Sequence, residues 1–320
     1  MTPSWGRMLR VWGMISQRRE SRQHGQADGL PSKHPRKWRI ANLLAIAVVI
    51  TIAGLFTARA EDEGVGIRRT SERIAFSDAE IADGFFKIAF GAELRVRGGG
   101  SHIRKFDEPV RVFLDDRASV NRRADIAAVI SDIRTHVDHL DIELTGDRKA
   151  ANVVVTLVRD HDHLLRTMRS FYGAKRAREI ARHLTPRCLS GFSEDLEHRI
   201  RRAEVLIAAD GGDFSFFDCA YEELLQALGP INDDRSVPWT MFNDDVQMGF
   251  FDVYDQYILN ILYDPRVRPG MTRQDVRVTL PDVLPAVHKW ISQVNSTGRL
   301  GTRNDVGPNN SGSAQLHATR

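Results

Sequence analysis

Two cysteines in 320 residues, Cys188 and Cys219, are all the thiol chemistry this sequence offers. Neither lies near the N-terminus, so a lipid-modified N-terminal cysteine is excluded. In an oxidising compartment the pair reads as a disulfide closing a loop of roughly 30 residues, worth about 3 to 4 kcal/mol on loop entropy; the alternative is two buried free thiols. Internal repeats are absent. So is a nucleophile elbow, and without one no Ser-His-Asp set can be chosen on any but arbitrary grounds. The body also lacks net positive charge. Of the chain's net +3, residues 1–60 contribute +8, with ten Lys/Arg against Glu20 and Asp28, which leaves −5 for residues 61–320. The basicity belongs to the leader, and the body offers no electrostatic case for nucleic acid.

What is present begins with that leader. Residues 40–56, IANLLAIAVVITIAGLF, carry no charge, follow a basic stretch and end near Ala58-Arg59-Ala60. This is the pattern of an export signal, and its 17 residues also sit at the lower limit of a membrane span. Cleavage after Ala60 and retention as a signal anchor are both open. In either case residues 1–39 are the cytoplasmic n-region and the body crosses the membrane, which makes the expected location periplasmic, free or anchored in the inner membrane.

After a polar linker over 61–72, FSDAEIADGFFKIAFG offers a capping box, Ser77 with Glu80, ahead of Ile81, Phe85 and Ile88 at helical spacing. The consecutive glycines in RVRGGGSHIRKFDE lead into the strand VRVFL and do not cap a helix, so they form a flexible connection and not a phosphate cradle. A second helix is expected over 121–139, strands at IEL, NVVVTLV and AEVLIAAD, and a polar helix over 163–183. Alternating helices and strands of this kind make an α/β domain, here 73–295, followed by a tail over 296–320 of disordered composition.

Chemistry concentrates in CAYEELLQALGPINDD, residues 219–234. The frame HExxHxxGxxH of metzincin peptidases falls here on Glu222, Glu223, Gln226, Gly229 and Asn232, so all three histidines are missing. Amide oxygens are poor zinc donors, and no zinc site is expected. Glu222, Glu223, Asn232, Asp233 and Asp234 could instead hold a hard cation such as calcium through oxygen. Gly229 with Pro230 ends the helix on local grounds. Met241 follows where metzincins carry a methionine turn, and Leu262-Tyr263 where they close with a helix. His161 with His163, and His136 with His139, are weaker pairs for a metal.

FSDAEIADGFFKIAFG, EELLQALGPINDD, FNDD at 242–245 and ILYDPRVRPGM together resemble the proteobacterial domain of unknown function 2927, over roughly residues 73–290. That resemblance implies an exported protein with no established activity. A weaker resemblance to zincins implies a mixed sheet packed on long helices in a single domain, an α+β zincin-like fold. The functional expectation is a non-catalytic, peptidase-like envelope protein binding a peptide or cell-wall component beside 219–234. Two others stand beside it: a divergent hydrolase with Glu223 as general base, and a purely structural envelope component.

Overall fold

The computed structural model describes residues 65, 68–91, 101–183, 187–230, 232–243 and 245–303. The n-region, the apolar run at 40–56, the glycines at 98–100 and residues 304–320 lie outside them. In chain order the elements are α1 (Asp78–Ala89), β1 (Val110–Arg117), α2 (Arg123–His136), β2 (Ile142–Leu144), β3 (Val153–Val158), α3 (His161–His183), β4 (Cys188–Glu194), β5 (Ile200–Ala208), α4 (Asp213–Ala227), α5 (Val253–Tyr263) and α6 (Arg273–Arg303).

The sheet is ordered β2-β1-β3-β5-β4. Four strands are parallel, and β4 runs antiparallel to β5 at one edge. Chain connectivity explains the difference. A helix joins β1 to β2, as a parallel crossover requires, whereas β4 turns straight into β5 through Asp195–Arg199. Asp195 builds that turn: its Oδ1 accepts the Glu197 and Arg199 amides, each at 3.0 Å, and its Oδ2 accepts Arg199 Nε at 2.8 Å. The run VVVTLV of β3 is buried throughout, as a central strand covered on both faces must be. Sequence reading missed β4, because CLSGFSE interleaves Ser and Gly with its apolar residues and has no β-branched run.

On one face the main core gathers residues of α1, α2, α4, α5 and α6 over Val153, Val155, Leu157, Val205 and Ile207. A smaller cluster, Val158, Leu164, Met168, Ala177, Leu189 and Leu206, sits under α3 on the other face. The capping box of α1 forms as expected: Ser77 Oγ accepts the Glu80 amide and Glu80 Oε2 accepts the Ser77 amide at 2.9 Å. α6 continues past Ser296 as far as Arg303. Among the described residues no helix is long and apolar enough to cross a membrane.

The segment leading into α1 is fastened to the body from Arg68 onward. Arg68 lies 4.6 Å over the Phe214 ring, Arg69 4.9 Å over Phe250, and Arg73 stacks on both Phe76 and Trp239. Glu72 Oε1 accepts the Val253 amide at 2.5 Å. Each cation–π contact contributes about 0.5 to 1 kcal/mol at such partly exposed sites, and the three made to Phe214, Phe250 and Trp239 hold the strap against the body.

Candidate functional site

Every residue of α4 from Asp218 to Ala227 is buried. A helix apolar on all sides belongs in a core, but this one carries Asp218, Glu222 and Gln226 at i, i+4 and i+8, a polar stripe along one side, with Glu223 next to it. The stripe is used by the protein itself. Asp218 Oδ1 accepts the Met248 and Gly249 amides at 2.8 and 3.2 Å. Ser190 of β4 donates to Gln226 Oε1 at 3.2 Å, and Gln226 Nε2 donates to Asp233 Oδ1 at 3.4 Å. Glu223 is 0 % exposed. The Cys188–Cys219 disulfide, with Cα atoms 5.8 Å apart, ties edge strand β4 to α4 and closes the free-thiol alternative.

The helix stops as its sequence demands. Gly229 has φ +137°, and a Cβ there would lie 2.3 Å from the Arg104 carbonyl oxygen, so no larger residue fits. Tyr263 Oη donates to the Leu228 carbonyl at 2.9 Å, satisfying one orphan acceptor of the helix end. Asn232, the last position of the frame, donates from Nδ2 to Lys87 O at 3.0 Å, at the end of α1. It packs so closely on Gly91 that a Cβ there would lie 1.8 Å from Asn232 Cγ. Gln226 and Asn232 therefore serve different elements, β4 with the 233 loop in one case and α1 in the other. Asp234 Oδ1 accepts the Ser236 amide and hydroxyl at 2.9 and 2.6 Å. Among the described residues no group of three or more His, Cys, Asp or Glu is placed to hold a metal ion.

Met241 is buried, and its turn hangs from α5. Asp255 accepts the Met241 amide at 2.8 Å on Oδ2 and the Thr240 hydroxyl on Oδ1. One turn earlier Asp252 caps α5, its Oδ1 accepting the Tyr254 and Asp255 amides at 2.8 and 3.1 Å. Both carboxyls are sealed from solvent, and burial raises both above the usual carboxylate range. For Asp252 the neighbouring charges of Asp255 and Glu72 raise it further, while hydrogen-bond donors act on Asp255 in the opposite sense, so Asp252 is raised the more and the pair keeps a proton above the usual carboxylate range. The linkage has a definite sign. The folded state holds this proton more tightly than the unfolded chain, so the pair stabilises below the unfolded carboxyl value near 3.8 and loses that stability as pH rises through its raised folded value. Asp252→Asn, which keeps the cap and a donor toward Asp255, is expected to flatten the decline of unfolding free energy as pH rises above the unfolded carboxyl value near 3.8. Denaturant titrations at several pH values check it, and an unchanged slope contradicts it.

Other positions are placed differently from expectation. His161 and His163, read as polar residues of a surface loop sooner than as a metal pair, lie in the first turn of α3, and Asp160 Oδ1 caps that turn by accepting the His163 amide at 2.8 Å. α2 ends at His136, and His139, at φ +60°, has left the helix; the two imidazoles pair with Asp132 and Asp138 respectively. Sequence reasoning missed Ser190, Asp218, Thr240, Asp252 and Asp255. Two signals could have found some of them: the i, i+4, i+8 polar stripe on α4, and Asp252 as an N-cap ahead of VYDQYILN. The other contacts depend on tertiary placement alone.

A family model described as "Protein of unknown function (DUF2927)" matches residues 78–282. The chain belongs to the DUF2927 family. No curated protein and no solved structure matches it. The DUF2927 span opens at α1 and closes inside α6, and so contains the whole sheet, the disulfide and the α4 stripe. Its FNDD string includes Asn243, which donates to Val237 O at 3.0 Å and accepts the Asp245 amide, shaping the turn after Met241. Its ILYDPRV string ends α5, where Lys105 Nζ donates to Leu262 O and Asp264 O at 2.8 and 3.2 Å; burial pulls the Lys105 ammonium down to about 8.

Proposed function

We propose that this DUF2927 domain is a non-catalytic, peptidase-like binding domain of the cell envelope that takes an extended peptide, free or as part of cell-wall material, along β4 beside α4. The observation that carries the reading is the use made of the frame positions. Gly229 ends the helix where a zincin helix would end, while Gln226 and Asn232, at two of the three ligand positions, are committed by hydrogen bonds to Ser190, Asp233 and Lys87. An amide so engaged offers a metal neither the donor type nor the freedom it needs. A zincin-like layout is supported by the mixed sheet and by the antiparallel edge strand lying against the frame helix. Binding is supported by that edge: β4 ends the sheet, and among the described residues no strand pairs with its outer side. An extended peptide adds to such an edge through main-chain hydrogen bonds without any chemistry.

The test uses the full chain in detergent with a library of photo-crosslinking peptides. Cross-links on Gly191–Glu194 that persist in EDTA and in Glu223→Gln, without cleavage, are the expected result. Binding lost in EDTA, or peptide turnover abolished by Glu223→Gln, overturns the reading in favour of a hydrolase with Glu223 as base.

A further inference from the structure

α3 carries a charge unlike the rest of the body. Its 23 residues hold six Lys/Arg against Asp162 and Glu179, a net +4, so that the remainder of residues 61–320, which total −5, stands at −9. Arg166, Arg169, Lys175 and Arg178 are exposed, and among the described residues none of the four is in an ion pair. Several surface arginines elsewhere are neutralised, Arg111 by Asp141, Arg117 by Asp115, Arg201 by Asp195 and Glu108, and Arg266 by Asp264, while exposed Arg123, Arg134, Arg268, Arg273 and Arg277 are, among the described residues, outside any ion pair too; what sets α3 apart is its net charge. Asp160, whose carboxyl is lowered by the His163 amide and in part by the charge of Arg166, is already bonded to Arg159 at 2.9 Å. The helix is broken at Gly173, at φ +77°, and its two parts pack Leu164, Met168 and Ala177 into the smaller of the two apolar clusters, leaving two of the four exposed cations on each side of the break.

Topology places this helix where the chain enters the domain. β3 and β5 are parallel neighbours with Val158 paired to Ala208, so α3 and α4, which follow them, start at the same edge of the sheet. Arg68 of the strap stacks on Phe214 in the first turn of α4, at that edge. Between Phe56, the last residue of the apolar run, and Arg68 lie residues 57–67, which span at most about 40 Å even when fully extended. A bilayer that receives residues 40–56 is therefore within reach of this edge.

We propose that α3 is a docking surface for the anionic phospholipid headgroups of the bilayer that holds the chain's own apolar run, and lays the domain against that membrane. The proposal rests on residues 40–56 remaining in a bilayer and is independent of peptide binding at β4. Unpaired guanidinium and ammonium groups are attracted to an anionic surface within a Debye length, and the short tether keeps the effective concentration high, so modest attraction suffices. A free polyanion such as nucleic acid would meet the same four cations without the tether and against the −9 of the remaining surface.

The experiment is amide hydrogen exchange on the full chain reconstituted in nanodiscs of phosphatidylcholine alone or with 30 % phosphatidylglycerol. Exchange over 161–183 is expected to slow about tenfold on the anionic discs, to recover in 0.5 M NaCl, and not to slow in a variant carrying Arg166→Gln, Arg169→Gln, Lys175→Gln and Arg178→Gln. Exchange in α4, which is buried, reports whether the variant is folded, and salt reversal on the unaltered chain tests the idea without any variant. Equal exchange on both discs overturns it. Slowing by added heparin or DNA in detergent, without a lipid effect, overturns it also and assigns the helix to a soluble polyanion.

Discussion

Gly229→Ala is expected to cost about 3 to 4 kcal/mol of unfolding free energy, enough to leave a marginal domain largely unfolded. Two terms combine. At φ +137° any L side chain is strained by about 1 to 3 kcal/mol, and the new methyl would meet the Arg104 carbonyl oxygen at 2.3 Å and Leu262 Cδ2 at 3.0 Å. Backbone has to move, and the backbone that moves carries the helix stop and the Leu228 carbonyl that Tyr263 holds. Gly146→Ala is the control, since nothing lies within 4 Å of its added carbon. Denaturant melts of the two variants should differ by several kcal/mol; equal midpoints would remove the structural reason given for Gly229.

The second large effect concerns the disulfide. Removing it with Cys188→Ala and Cys219→Ala releases a loop with sequence separation 31, worth about 3 to 4 kcal/mol on the entropy model. Both sulfurs are buried, so reductant should act slowly on the folded protein and completely on the unfolded one. Reduced wild-type chain and the double variant should melt together. A double variant as stable as the oxidised chain would mean that α4 holds β4 without the covalent link, and that the edge strand is fixed by Ser190, Gln226 and core packing alone.

Legibility from sequence followed the range of the interactions. The capping box of α1, the central strand VVVTLV and the glycine stop at 229 are local and could be read from residues a few positions apart, and the cysteine pairing, 31 positions apart, could be read from there being only two cysteines. β4 could not, because its apolar residues are interrupted by Ser190, Gly191 and Ser193 and its strand state is set by pairing with β5. The strap at 68–73 has the composition of a linker; only its aromatic partners, more than 140 residues away for Phe214 and Phe250, reveal that it is bound. The metal frame was legible as a pattern, but the partners of its amides were not, since Ser190, Lys87 and Asp233 come from three separate segments. The Asp252–Asp255 pair was hidden for another reason. Acids at a helix start are ordinarily solvated caps, and only complete burial turns this pair into one that keeps a proton.

Elemental analysis of the full chain, purified without chelator or metal-affinity steps and compared with Gln226→Ala, tests the structural role of Gln226 and Asn232 most directly. If these amides serve the fold, metal content is far below one equivalent, EDTA leaves the melting temperature unchanged, and Gln226→Ala lowers stability by about 1 to 3 kcal/mol by stripping Ser190 and Asp233 of a buried partner. One equivalent of a metal that disappears in Gln226→Ala, together with an EDTA-sensitive melt, would contradict this and make residues 222–232 a rebuilt metal site.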